Sequence, residues 1–167
     1  MDQEEINVSF LKEIFEYKNG AFYWKKVLSA HGKIGRIVGC NNGKGYLKVG
    51  LNKKYYAIHR LMFLYHNGYL PKIVDHIDRN PLNNYPNNLR EVTAQQNALN
   101  RGMRSDNKSK YKGVSFHKKT NKWQAEIQIN GKAKYLGIYD TKEKAAIIYN
   151  QEAIKLFKEF AFINQIK

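Results

Sequence analysis

The sequence predicts an α+β protein built in two successive units, the second a three-stranded antiparallel sheet packed on one helix. Three observations carry this. Stretches that alternate apolar and polar residues, as half-buried strands do, fall into two blocks, 21–58 and 111–139. Helical patterns with their own start or stop signals lie between and after those blocks. A polar, basic and aperiodic run at 103–110 separates the two and reads as a linker. The expected division is therefore 1–102, a linker at 103–110, and 111–167. A hydrophobic content of 43% over 167 residues is enough for real cores.

The elements follow in order. Asn7 to Tyr17 reads as a short helix ending near Asn19-Gly20. Ala21–Lys26, Arg36–Cys40, Tyr46–Leu51 and Lys53–Ile58 alternate like strands and, with turns at Asn42-Gly43 and Lys44-Gly45, predict a small antiparallel sheet. His59 to His66 places Leu61, Met62, Leu64 and Tyr65 at helical spacing and stops at Asn67-Gly68. From Lys72 to Arg101 the pattern is strand, Asn/Pro-rich loop, strand and helix. Thr93 with Gln96 makes a capping box for that helix, and Gly102 stops it.

The second unit expects strands at Tyr111–Phe116, Lys122–Ile129 and Ala133–Tyr139, with Asn130-Gly131 as a two-residue hairpin turn. Asp140 or Thr141 caps a long helix to about Lys158. Its apolar stripe is Ala145, Ile148, Tyr149, Ala153, Leu156 and Phe160.

Composition narrows the function. The formal charge is +15, and it is clustered. Eight basic residues and no acid lie between Lys33 and Lys72; ten lie between Arg101 and Lys134 against Asp106 and Glu126. Cations interleaved with aromatic residues suit a polyanionic partner, and nucleic acid above all. No basic amphipathic helix supports membrane-surface binding, and no apolar run is long enough to span a bilayer. The acidic start Met1–Glu5 is unlike a secretory signal, and the lone Cys40 supports neither a disulfide framework nor a cysteine-rich zinc site, so an intracellular protein is expected.

The chemistry concentrates in Val74-Asp75-His76-Ile77-Asp78-Arg79-Asn80, Asn87-Asn88-Leu89-Arg90 and Gln96-Asn97. Hydrolysing a phosphodiester needs a base for the attacking water and a cation for the charge that develops. A histidine is largely neutral near pH 7 and suits the first task. A carboxylate and an amide carbonyl suit a hard divalent ion that also takes phosphate and water oxygens. A strand pair followed by a helix can gather Asp75, His76 and Asn97. Strand neighbours point to opposite faces, so Asp75 and His76 share a site only where the strand ends or bulges.

The residues Asp75-His76, with Asn88 twelve positions and Asn97 twenty-one positions after the histidine, resemble the HNH nuclease motif, closest to phage and intron-encoded homing endonucleases. His59-Arg60-Leu61 upstream and Asn88 to Thr93 fit as well, so the resemblance spans roughly residues 20–102. It implies a ββα-metal module in which His76 is the general base, Asp75 and Asn97 hold the metal, and Asn88 organises the loop. Mg²⁺ is the expected ion, with Mn²⁺ as the alternative and no small-molecule cofactor. Asparagine at position 97, where histidine is common in the wider superfamily, disfavours tight zinc binding. His59 is read as structural, and His31, His66 and His117 receive no catalytic role. Arg101, on the helix face of Asn97, is in position to reach a phosphate.

Tyr111-Lys112-Gly113-Val114, Lys122 to Ile127, Tyr135-Leu136-Gly137, Ala145-Ala146, Tyr149 and Phe162-Ile163-Asn164 resemble the APETALA-type DNA-binding domain. That family lays its sheet in the major groove of duplex DNA. The resemblance implies DNA contacts from Lys112, Ser115, His117, Glu126, Gln128, Lys134 and Tyr135. Together the two halves predict a site-selective, metal-dependent DNA endonuclease or nickase of phage or mobile-element type acting in the host cytoplasm. The rival readings are a non-catalytic DNA-binding regulator and an RNA-directed protein.

Overall fold

The computed structural model describes residues 6–26, 33–43, 45–103 and 106–166. The chain is α+β and divides into two compact units, Met1–Thr93 and Ala94–Lys167.

In the first unit, Asn7 opens helix α1 (Val8–Ile14) by accepting the Phe10 amide on its side chain at 2.9 Å. The helix is shorter than expected. Phe15–Lys18 forms strand β1, which turns at Asn19-Gly20 and pairs with β2 (Ala21–Trp24), Phe15 opposite Trp24. The Asn-Gly signal that reads as a helix stop is a hairpin turn, both residues having positive φ. Arg36–Val38 continues the pairing beside β2 through a bridge from Ile37 to Tyr23. The expected single sheet is thus two: this hairpin, and β3 (Cys40–Asn41), β4 (Leu47–Leu51) and β5 (Lys54–Ala57) in the order β3-β4-β5. Lys44 and His31 lie outside the described residues.

Helix α2 (Ile58–Asn67) follows without a loop and ends on Gly68 in the left-handed conformation, as its stop signal predicts. Its residues Leu61 to Leu64 join Leu11, Ile14, Phe15, Phe22 and Leu51 in one core. Each such side chain contributes about 1.5–3 kcal/mol by leaving water. Beyond it, β6 (Val74–His76) pairs with β7 (Leu89–Glu91), placing Asp75 opposite Arg90 and His76 opposite Leu89. Val74 and Leu89 are buried in the same core, which anchors this hairpin to α2.

The second unit opens with α3 (Ala94–Asn100). Residues expected to be linker are knitted into it: Ser109 is buried, and its hydroxyl donates to Val114 O at 2.8 Å. Arg104 and Ser105 lie outside the described residues. Strands β8 (Val114–His117), β9 (Lys122–Ile129) and β10 (Lys132–Tyr139) form an antiparallel sheet in the order β10-β9-β8. Asn130 and Gly131, both at positive φ, make the predicted tight turn. Thr141, not Asp140, caps α4 (Lys142–Phe157), its hydroxyl accepting the Lys144 amide. Ala145, Ala146, Tyr149 and Ala153 are buried, whereas Leu156 is exposed and the partly buried Phe157 packs in its stead. Asn164 closes the unit: its side chain accepts the Lys112 amide at 2.7 Å and donates to Lys112 O at 3.1 Å, across 52 residues of sequence.

Candidate nuclease site and DNA-facing sheet

Strand β6 ends on His76, so the chain is released into a loop where the imidazole is buried. The ring faces Asn84, also buried, with Nε2 3.1 Å from Oδ1. An amide oxygen only accepts, so Nε2 carries the proton and donates. Asn84 is held in that orientation by its own Nδ2, which donates to Leu82 O. The consequence is a defined tautomer, with Nδ1 as the basic nitrogen of His76.

The loop that delivers Asn84 is ordered by side chains. Asn88 donates Nδ2 to Asp78 Oδ1 at 2.9 Å and to Asn83 O at 2.8 Å, and its Oδ1 accepts the Asp78 amide at 3.1 Å. Asp78 also accepts from the Asn80 amide and from Asn83 Nδ2. Desolvation pushes the Asp78 carboxyl upward. The hydrogen bonds from Asn80, Asn83 and Asn88, with the charge of His76, outweigh it and hold the pKa below its ordinary value. An ionised Asp78 is therefore the hub of the loop. Neither Asp78 nor Asn84 was assigned a role from sequence. The density of Asx residues between 78 and 88 was the only signal, since such side chains form turns with their own backbone.

Asp75 precedes His76 on the strand and takes a different partner. Its Oδ2 accepts both Nε (3.2 Å) and Nη2 (3.1 Å) of the cross-strand Arg90. Asn97 lies on α3 in the second unit, while Asp75, His76 and Asn88 belong to the first. A groove of about 650 Å³ next to the loop is lined by Tyr17, His66, Asn83, Tyr85, Pro86, Asn87 and Asn88. His76 does not line it.

Two further rings pack on the histidine. His59, in the first turn of α2, has its ring centroid 5.0 Å from that of His76, and Tyr46 lies 5.6 Å from His59 and 6.0 Å from His76. Burial, then the charges of His76 and Arg60, lower the His59 pKa to about 4. From sequence His59 reads as a structural core histidine; 17 positions separate it from His76, and only the fold brings the two rings together.

In the second unit, β9 alternates as expected: Ala125 and Ile127 are buried against α4, while Gln124, Glu126 and Gln128 point the other way. Register adds Ser115 opposite Gln124, His117 opposite Lys122 and Tyr135 opposite Glu126. Ser115, Gln128 and the 59%-exposed Tyr135 leave that face open, and His117 Nδ1 lies 2.9 Å from the Thr120 hydroxyl. Lys134 stands apart. It is opposite Ile127, on the helix side, and its ammonium pairs with Glu152 of α4 at 2.7 Å. Lys112 turns its Nζ to the carbonyls of Leu99 and Arg101, closing the end of α3. Arg101 follows that helix and is exposed.

With this geometry in view, the comparisons with known proteins are specific. A family model described as HNH endonuclease matches residues 56–99, and one described as AP2 domain matches residues 109–159. The chain carries an HNH endonuclease domain followed by an AP2 domain. An uncharacterized HNH endonuclease of Acanthamoeba polyphaga mimivirus is 38% identical over 127 residues, covering 74% of this chain and 65% of the relative. Protein 3.8 of Escherichia phage T7 is 36% identical over 85 residues, covering 50% of this chain and 70% of its own length. APETALA2-like protein 2 of rice (Oryza sativa subsp. indica) is 46% identical over 55 residues, 33% of this chain and 12% of that protein. The chain thus spans just under two thirds of its mimivirus relative. No solved structure matches it. HNH nucleases generally use a divalent metal, and HNH and AP2 domains act on DNA. Among the described residues no helix is long and apolar enough to cross a membrane.

Proposed function

We propose that this protein is a site-selective DNA endonuclease or nickase that hydrolyses phosphodiester bonds in duplex DNA. The observation that carries it is the buried His76, fixed in one tautomer by Asn84 inside a loop that Asn88 and Asp78 hold in shape. In this reading Nδ1 of His76 takes the proton of the attacking water as general base. Asn88 keeps the loop, and through it the imidazole, in register.

The donor set fits a hard divalent cation. Asp75 offers a carboxylate and Asn97 an amide carbonyl, and ions such as Mg²⁺ are held by one or two carboxylates together with substrate phosphates and water. When bound, Mg²⁺ (or Mn²⁺) would neutralise charge on the phosphate and the leaving oxygen. Arg90 holds Asp75 in place along the strand and balances its charge.

The functional division is a nuclease module within 1–102 and a DNA-binding domain at 111–167, with the residues expected as a linker at 103–110 packed against the second unit through Ser109. The basic sheet β3-β4-β5 and Arg101 contact phosphates and supply affinity. Ser115, His117, Glu126, Gln128 and Tyr135 read the groove and supply selectivity, while Lys112 and Lys134 contribute chiefly positive potential. Viral and phage relatives support action in the cytoplasm of an infected host, as part of a phage or mobile element.

Conversion of supercoiled plasmid tests the proposal. Mg²⁺- or Mn²⁺-dependent nicking is expected, abolished by EDTA and reduced about 10²–10⁴-fold in His76→Ala with DNA affinity retained. The AP2 match favours one other reading, a non-catalytic DNA-binding regulator. Binding without cleavage, on plasmid and on the source genome's own DNA alike, would establish it instead.

A further inference from the structure

His59 is placed with care for a residue that no step above employs. Its helix starts directly from β5, and the neighbouring Arg60 ties that helix to the segment leading into β6: Nη1 donates to Lys72 O at 2.9 Å and Nη2 to Pro71 O at 3.0 Å. The first turn of α2 is thereby locked to the base of the strand that carries His76. Across this clamp the two imidazoles pack at 5.0 Å, with Tyr46 closing the cluster.

Packing alone does not account for an imidazole here. A phenyl ring would fill the same volume, whereas the imidazole adds two ring nitrogens that stay within reach of solvent, since among the described residues no side-chain nitrogen or oxygen is buried without a partner. Among the described residues, neither ring nitrogen of His59 hydrogen-bonds to a protein group; its contacts are the rings of Tyr46 and His76. The ring is only half-buried, so a group arriving from outside can reach it. Its protonation state suits such a group. With a pKa lowered to about 4, His59 is neutral at pH 7 and keeps an N–H to donate. An imidazolium at this distance would make His76 a weaker base; a neutral donor does not. Neutral imidazoles acting as hydrogen-bond donors to developing negative charge are an established catalytic device.

We propose that His59 is a second catalytic imidazole, donating a hydrogen bond to a non-bridging oxygen of the phosphodiester presented to His76. The inference rests on the nuclease reading for its catalytic consequence, but the contact itself is measurable without cleavage.

Two arms decide it on the full chain. In the first, imidazole ¹⁵N resonances are followed by NMR while a short DNA duplex is added in EDTA, His59 being assigned from its loss in His59→Phe. The His59 nitrogens are expected to shift while keeping the neutral pattern. In the second, nicking is compared between the native chain, His59→Phe and His59→Gln, each checked for an unchanged melting temperature and unchanged duplex affinity. Phe keeps the packing and should lower the rate about 10²-fold; Gln keeps a donor and should recover part of it. Native rates in the Phe variant, or His59 resonances indifferent to DNA, would overturn the proposal and leave His59 a packing residue. If the native chain binds DNA but never cuts it, the nuclease reading fails on its own account, and the NMR arm still decides the contact.

Discussion

Two hairpins of this molecule solve the same problem by opposite means. Between β9 and β10 the chain reverses in two residues, Asn130 and Gly131, whose positive φ angles define the turn. Between β6 and β7 it wanders from Ile77 to Asn88 and is held by side chains: Asp78, Asn80, Asn83 and Asn88 tie the loop to itself. Backbone-set connections are economical and carry little chemistry. A loop shaped by side chains holds polar groups in fixed positions near the buried His76, and it is vulnerable at each of them. The second unit should therefore fail by unfolding, and the first by losing activity while still folded.

The largest effect is expected where backbone and packing leave no slack. Gly113 has φ +73°, and a Cβ there would meet the Tyr149 ring at 2.1 Å and Glu126 O at 2.5 Å. Gly113→Ala should cost about 3 kcal/mol or more and lower the second unit's melting temperature by on the order of 15 °C, read by calorimetry. Duplex binding should fall with it.

Asn88→Ala sharpens the contrast from the other side. It deletes two donated and one accepted hydrogen bond in the loop. The expected loss is about 1–2 kcal/mol in the first unit, yet about 10²-fold in nicking rate, because the Asn84 contact that sets the His76 tautomer depends on loop shape. Melting of the second unit and duplex affinity should not move. Equal losses of stability and activity would break the distinction.

The smallest effect is a pH dependence confined to the first unit. The His59 pKa is lowered from 6.5 to about 4 in the folded chain. Between those values the unfolded chain binds a proton that the folded chain refuses, so stability falls as pH drops from about 6.5 to 4 and is level below. Allowing for partial exposure, the loss is about 1 kcal/mol, on the order of 5 °C in melting temperature. His59→Phe should reduce that slope, leaving the part carried by His66, whose pKa burial also lowers, as thermal scans across this range would reveal.

What could be read from sequence follows the same contrast. Helix α2 with its Gly68 stop, helix α4 with its Thr141 cap and the Asn130-Gly131 hairpin are local, and their signals sit within a few residues of one another. The order Asp75, His76, Asn88, Asn97 was visible as spacing. Phe15–Tyr17 reads as helix from sequence because Asn-Gly ends helices and turns hairpins alike, and only pairing with Ala21–Trp24 separates the two. The Asn84 contact, the Asp78 hub and the packing of His59 on His76 were not legible. Each depends on which way a side chain points after the chain has folded back. Lys134 shows the same limit, since one residue of register turns it from the open face of the sheet to Glu152.

The Asn164 clamp has a bearing on how the protein is made. The second unit is sealed by a residue 52 positions beyond the Lys112 backbone it grips, and Asn150 secures that residue in turn. During translation the first unit's core, complete by Leu89, is free of the ribosome while this clamp is still being synthesised. The loop that holds His76 can therefore take shape before the C-terminal sheet is locked, so the two units reach their folded states one after the other rather than together.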